Sequence, residues 1–183
     1  MTDMKSRFIS LPNMITFMRI ILIPVFVTAL VYRRYEYAMG LFVTASLTDM
    51  LDGLLARLTD QKTKLGAFLD PLADKVLLLT SFILFSVYGW IPTWLTITVI
   101  SRDLIVTLGW FLLYLTSHIT RVEPTIIGKA AIASQLVLIA YVLLSINISA
   151  LPAPPNAAMT VVAGLTIYSG LQYIYRGLTQ NEK

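Results

Sequence analysis

Six long apolar segments, separated by short polar breaks, make up most of the chain. They cover residues 13–32, 37–58, 65–88, 93–116, 125–146 and 157–175. A helix that crosses a bilayer needs about 20 predominantly apolar residues, and each segment is close to that length. Inside the bilayer only helices and closed barrels satisfy their own backbone hydrogen bonds. The pattern therefore predicts an all-α integral membrane protein with six transmembrane helices.

The segment before the first span mixes basic and apolar positions. Lys5 and Arg7 stand among apolar residues within residues 1–11. Such a mixture is typical of a short helix that lies in the membrane interface. No repeat and no second hydrophobic pattern interrupts the six spans, so we expect residues 1–183 to form a single membrane domain.

The distribution of Lys and Arg predicts the orientation. Both terminal tails and the segments 59–64 and 117–124 carry them, whereas the loops after the third and fifth spans carry no charge. Because cytoplasmic loops are enriched in Lys and Arg, both termini are predicted to lie on the cytoplasmic side of the inner membrane. Arg33 and Arg34, between the first two spans, are the exception to this assignment.

Composition agrees with a membrane protein and excludes some chemistry. Hydrophobic residues make up 57% of the chain, charged residues 13%, and the mean hydropathy is +0.76. In soluble domains about a quarter of the residues are charged. Since there is no cysteine, disulfides and thiol catalysis are excluded. A net charge of +4 is more typical of the anionic cytoplasmic membrane face than of nucleic-acid binding.

Five of the ten acidic residues fall between residues 48 and 75. Asp49 and Asp52 are three positions apart, and Asp70 and Asp74 are four apart, so each pair shares one face of a helix. Two such helices joined by a short turn could bring the pairs face to face. Four converging carboxylates would repel one another without a cation between them. The predicted partner is one or two divalent metals with oxygen ligands.

The charges within the spans gather toward the predicted cytoplasmic end. Arg19, the four aspartates and Lys129 lie within about three helical turns of it, whereas Arg102 and Asp103 lie near mid-span. Each central acid costs about 2.5–3.5 kcal/mol, so four unpaired acids would cost roughly 10 kcal/mol. We therefore expect a functional site in this half of the bilayer, with Arg19 directed inward. For Arg102 and Asp103 a clasp between helices is the alternative interpretation.

A rival function is a divalent-cation transporter whose ion site is formed by the four aspartates. It accounts for the acids and the metal but leaves Arg57 and the interleaved small residues unexplained. Gly53, Ala56 and Gly66 either pack between helices or allow a ligand to approach the backbone closely.

These residues form a longer motif with fixed spacing. It reads Asp49-x2-Asp52-Gly53-x2-Ala56-Arg57-x8-Gly66-x3-Asp70-x3-Asp74. The motif resembles that of the CDP-alcohol phosphotransferases at every fixed position, and the six-span outline is similar too. The resemblance implies an enzyme that transfers a phosphatidyl group from CDP-diacylglycerol to an alcohol and releases CMP. It also implies two Mg²⁺ or Mn²⁺ ions and a homodimer.

The resemblance assigns roles by position. Asp49 and Asp70 are similar to bridging metal ligands, and Asp52 to a ligand of one metal. Asp74 is similar to a ligand of the second metal and to the base that accepts the acceptor's proton. The residues similar to those that contact CDP, or that leave room for it, are Asn13, Thr16, Gly53, Ala56, Arg57, Thr63 and Gly66.

We expect the acceptor alcohol to be a glycerol compound, with Arg102, Lys129 and Arg19 supplying the charges that bind it. Bacterial relatives that use glycerol 3-phosphate often show an extra Arg in the fourth span and a second Lys in the fifth. Both are missing here. Two features resemble eukaryotic-type cardiolipin synthases. One is the Ile-Ser-Arg-Asp sequence at 100–103, and the other is the 124–129 segment followed by Gln135. Because phosphatidylglycerol carries only a phosphodiester charge, it is the favoured acceptor; glycerol 3-phosphate is the alternative.

Overall fold

The computed structural model describes the main chain of residues 11–59, 64–117 and 125–180, and the side chains of residues 18–48, 75–109 and 125–176. Over these residues the chain forms six α-helices and no strand. They are α1 (Leu11–Val31), α2 (Tyr35–Thr59), α3 (Lys64–Val87), α4 (Thr93–Ser117), α5 (Ile126–Asn147) and α6 (Asn156–Gln180). Each predicted span coincides with one helix, and no end differs by more than five residues. The all-α prediction is confirmed. The interfacial helix predicted over residues 1–11 lies outside the described part except for Leu11, with which α1 begins.

Two stretches are long and apolar enough to cross a membrane. Ile126–Asn147 has a mean hydropathy of 2.0, and Asn156–Arg176 has 1.3. Met18–Val31 and Lys75–Val87 are apolar as well but shorter within the described residues. These stretches agree with a membrane protein, and the number of six crossings stays a prediction.

The chain divides into two compact units. Unit 1 comprises Met1–Ser81 and Ile146–Ser149, and unit 2 comprises Phe82–Ser145 and Ala150–Lys183. The boundary therefore falls within α3. One functional domain over residues 1–183 stays a prediction.

In unit 1, α1 packs against α2. Ile23, Phe26 and Leu30 recur at intervals of three and four residues, so they line one face of α1, and all three are buried. The ring of Phe26 lies 6.2 Å from that of Phe42 on α2. Small buried side chains on α2, such as Ala38, let the two helices approach closely.

In unit 2, the end of α3 contacts the start of α4 across a short turn, and α4 packs against α6. Gly89 has a φ of +74°, a left-handed conformation that glycine adopts without strain. The hydroxyl of Thr96 donates a hydrogen bond to the Phe82 carbonyl at 3.1 Å. Phe85 packs edge-on against Trp90 with ring centroids 5.4 Å apart. These contacts fix the turn and position the polar residues of α4.

Candidate functional site

The four predicted metal ligands stand on two consecutive helices. Asp49 and Asp52 lie in α2, and Asp70 and Asp74 lie in α3, and both helices are continuous through these positions. The prediction that each pair has helical spacing is therefore confirmed for the backbone. Their side chains lie outside those that the structure describes, so the metal ligation stays a prediction. Among the described side chains no group of three or more His, Cys, Asp or Glu residues could hold a metal.

The predicted CDP contacts lie near the same helix ends. They comprise Asn13 and Thr16 in the first turns of α1, Gly53, Ala56 and Arg57 in the last turns of α2, and Gly66 in the first turn of α3. Thr63 lies outside the described residues, and so do the side chains of the others. Their contact with CDP stays a prediction.

Arg19 is buried in unit 1, with only 1% of its surface exposed. It stands in α1, six residues beyond Asn13. Burial confirms that its side chain is directed inward rather than extended toward a membrane surface. Its contact with the acceptor stays a prediction.

A buried polar network occupies unit 2, formed by Arg102, Asp103, Ser169 and Tyr173. The Arg102 guanidinium donates through Nη1 to Asp103 Oδ1 and through Nη2 to Ser169 Oγ, both at 2.7 Å. Its Cζ atom lies 5.6 Å from the centroid of the Tyr173 ring, within the range of a cation–π contact. Because Arg102 is on α4 and Ser169 on α6, this network joins the two helices. The clasp interpretation of Arg102 and Asp103 thus has direct support.

The part of this network on α6 follows from helical spacing. Thr166, Ser169 and Tyr173 are separated by three and four residues and so lie on one face of the helix. Thr166 accepts a hydrogen bond from Gln135 Nε2 of α5 at 2.9 Å, and both residues are buried. A Cβ at Gly170 would lie 3.3 Å from Arg102 Cγ, so the missing side chain allows α4 and α6 to pack closely.

Tyr173 also contacts the start of α5. Thr125 Oγ1 accepts a hydrogen bond from the Gly128 backbone N–H at 2.9 Å, which is the usual bond of a helix N-cap. The Thr125 backbone N–H donates to the Tyr173 hydroxyl at 3.3 Å. A Cβ at Gly128 would lie 3.2 Å from Tyr173 Cε2, so this position also favours glycine. Lys129 follows directly and is exposed.

Tyr173 therefore connects two of the predicted acceptor-binding elements. Its ring faces Arg102 of α4, and its hydroxyl reaches the first turn of α5, which carries Lys129. Ser169 and Tyr173 were not among the site residues predicted from the sequence. The polar spacing along α6 was the signal that could have identified both.

The charge of Arg102 is already offset within this network. The Asp103 carboxylate is 2.7 Å from Nη1, and the two side chains are 7% and 9% exposed. The Nε atom of Arg102 is buried and has no hydrogen-bond partner. The pair is thus a neutral unit in which both Nη atoms donate hydrogen bonds and Nε does not.

Comparison with known proteins identifies relatives over nearly the whole chain. A family model described as CDP-alcohol phosphatidyltransferase matches residues 9–169. A probable phosphatidylglycerophosphate synthase of Mycobacterium tuberculosis (strain H37Rv) is 30% identical over 184 residues, covering 95% of this chain and 84% of the relative. A CDP-diacylglycerol–glycerol-3-phosphate 3-phosphatidyltransferase of Salmonella typhimurium is 35% identical over 171 residues, covering 90% and 93%. A putative cardiolipin synthase of Mycobacterium tuberculosis (strain H37Rv) is 32% identical over 128 residues, covering 69% and 61%.

Proposed function

Because the chain belongs to the CDP-alcohol phosphatidyltransferase family, an enzyme family of phospholipid synthesis, we propose that it transfers a phosphatidyl group from CDP-diacylglycerol to phosphatidylglycerol. The products are cardiolipin and CMP. Membership of this family supports the type of reaction. The choice of acceptor rests on the charge of the Arg102 network.

The observation that favours phosphatidylglycerol is the 2.7 Å ion pair between Arg102 and Asp103. Glycerol 3-phosphate brings a phosphate monoester with a charge near −2 at neutral pH, whereas phosphatidylglycerol brings one phosphodiester charge. Of the two cations that we assign to the acceptor in unit 2, Arg102 is neutralised by Asp103 and Lys129 is exposed. Unit 2 thus offers one remaining cation, Lys129, which matches the single charge of a phosphodiester, and the predicted contact of Arg19 in unit 1 does not discriminate between the two acceptors.

Glycerol 3-phosphate is the second candidate, and the relatives favour it. The relative matched over 84% of its length is named as a probable phosphatidylglycerophosphate synthase. The relative matched over 93% of its length is named as a glycerol-3-phosphate 3-phosphatidyltransferase. The relative named for cardiolipin synthesis is matched over 61% of its length. This candidate requires more positive charge at the acceptor than Lys129 alone supplies.

The proposed reaction is one substitution at phosphorus. The acceptor's hydroxyl oxygen forms a new bond to the phosphorus that carries diacylglycerol, and the bond from that phosphorus to the CMP oxygen breaks. CMP leaves with the electron pair. A carboxylate oxygen of Asp74 takes the proton of the acceptor hydroxyl, as expected for a general base. Arg57 would bind the diphosphate through its forked donors.

The donor set suits a pair of divalent metals. Carboxylates are the oxygen ligands that Mg²⁺ and Mn²⁺ prefer, and four of them stand at helical spacing on α2 and α3. Asp49, Asp52, Asp70 and Asp74 would hold the ions. When bound, two such ions would offset the negative charge that develops on the attacking and leaving oxygens.

We extend the proposal to a homodimer with its active site at the cytoplasmic face of the membrane.

The acceptor proposal is tested with Lys129→Gln. Loss of one charge-assisted hydrogen bond weakens binding by roughly tenfold, so the KM for phosphatidylglycerol should rise about tenfold while the KM for CDP-diacylglycerol stays unchanged. Arg176→Gln removes the same charge from another exposed position and should leave both constants unchanged. Equal KM values in Lys129→Gln and the parent would contradict the assignment of Lys129. Turnover with glycerol 3-phosphate but not with phosphatidylglycerol would establish the second candidate.

A further inference from the structure

The turn between α1 and α2 encloses a cavity that the proposed reaction does not use. Its volume is about 320 Å³, and all of its lining belongs to unit 1. The lining residues are Arg33, Arg34, Tyr35, Glu36, Tyr37, Ile146 and Asn147. Arg33 and Arg34 are also the residues that depart from the predicted charge distribution. We call this cavity the Arg33–Arg34 pocket.

The backbone at this turn holds an arginine where glycine is the usual residue. The Arg34 N–H donates to the Ala29 carbonyl at 2.8 Å, and the Arg33 N–H to the Leu30 carbonyl at 3.0 Å. This pair of bonds defines a Schellman motif, whose left-handed position is most often glycine. Arg33 occupies that position with a φ of +57°. A non-glycine residue in this conformation costs free energy, so its presence motivates a functional hypothesis for the turn.

The far wall of the pocket is fixed by the end of α5. Asn147 Nδ2 donates a hydrogen bond to the Tyr35 carbonyl at 3.1 Å. This bond ties the end of α5 to the first turn of α2, so Asn147 and Tyr35 are held together on one wall of the pocket. Within the described residues, no hydrogen bond or ion pair engages the guanidinium of Arg33 or Arg34, and both residues are exposed.

We propose that the Arg33–Arg34 pocket binds the phosphodiester headgroup of an anionic phospholipid. Two arginines and Glu36 give the lining a net charge of +1, which one phosphodiester balances. Arginine side chains keep their charged ends at the membrane interface while their stems contact apolar surface. Tyr32 and Tyr37 flank the turn and are 74% and 68% exposed, as is typical of residues at the headgroup level.

The pocket is separate from the predicted catalytic aspartates. Asp49 follows Tyr35 by fourteen residues of the same continuous helix, so it lies about 21 Å away along α2 at 1.5 Å per residue. A lipid in this pocket is therefore a resident ligand rather than the reacting substrate.

The test is native mass spectrometry of the full-length protein, purified in detergent and then incubated with defined lipids. We expect retention of phosphatidylglycerol but not of phosphatidylcholine, and no displacement by inorganic phosphate. Arg34→Gln should weaken retention about tenfold, the loss expected for one charge-assisted bond. Arg176→Gln removes a charge outside the pocket and should retain lipid as the parent does.

Arg33→Gly separates binding from structure, because the two effects have opposite signs. Glycine relieves the left-handed strain, so the melting temperature should rise by about 2–4 °C. Lipid retention should fall at the same time. A higher melting temperature with unchanged retention would overturn the proposal, and so would equal retention of phosphatidylcholine or displacement by inorganic phosphate.

Discussion

Ser169→Ala tests whether the Arg102 network holds α4 against α6. Ser169 is fully buried, and its hydroxyl accepts from Arg102 Nη2 at 2.7 Å. A hydrogen bond to a charged group contributes about 1.5–3 kcal/mol, and its loss leaves a charged donor without a partner. We therefore expect a loss of about 2 kcal/mol. For a chain of this size that corresponds to a fall in melting temperature of roughly 4–8 °C.

The assay is thermal unfolding in detergent micelles, followed by circular dichroism at 222 nm. Ser46→Ala is the matched control, because the Ser46 hydroxyl is buried but has no hydrogen-bond partner. Removing a buried, unbonded hydroxyl should be neutral or should stabilise by up to about 1 kcal/mol. The reasoning would be refuted by a shift below 1 °C in Ser169→Ala, or by an equal loss in both variants.

Two further predictions use the same assay. Gly128→Ala should lower the free energy of unfolding by about 1–3 kcal/mol, because the new Cβ would lie 3.2 Å from the Tyr173 ring. Gly164→Ala is the control: its Cβ would meet no atom within 4 Å, so it should raise the free energy of unfolding by about 0.5–1 kcal/mol. Equal effects of the two substitutions would contradict the packing argument. Arg102→Met should cost about 3–5 kcal/mol because it leaves the Asp103 carboxylate buried and unpaired. Adding Asp103→Asn should recover about 1–3 kcal/mol of that loss, whereas strictly additive losses would show that the pair is not coupled.

The helices could be predicted because their signal is local. A run of about 20 apolar residues bounded by polar breaks is visible in the chain itself, and all six helices lie where this pattern puts them. The turn at Arg33 could not be predicted in the same way. A left-handed residue is normally signalled by glycine, and here arginine occupies the position.

Only part of the candidate site could be predicted, because only part of it is formed by residues close together in the sequence. Fixed spacing within two neighbouring helices indicates the four aspartates, since each pair is separated by only three or four residues. The partner of Arg102 is Ser169, 67 positions further along the chain. No local pattern on α4 points to that contact. Because Ser169 and Tyr173 lie on one polar face of α6, they are expected to contact the same neighbouring helix. The spacing does not identify that helix.

The most direct test of the central claim is release of CMP by the purified protein in mixed micelles of CDP-diacylglycerol and phosphatidylglycerol with Mg²⁺. We predict that a chelator abolishes release and that added Mg²⁺ restores it. Asp74→Asn should lower the rate by about 10²–10⁴-fold, the usual contribution of a general base. Asp60→Asn, which changes the remaining acid of the 48–75 stretch, should keep the parental rate. Release that is unaffected by the chelator, or an Asp74→Asn variant with the parental rate, would contradict the account.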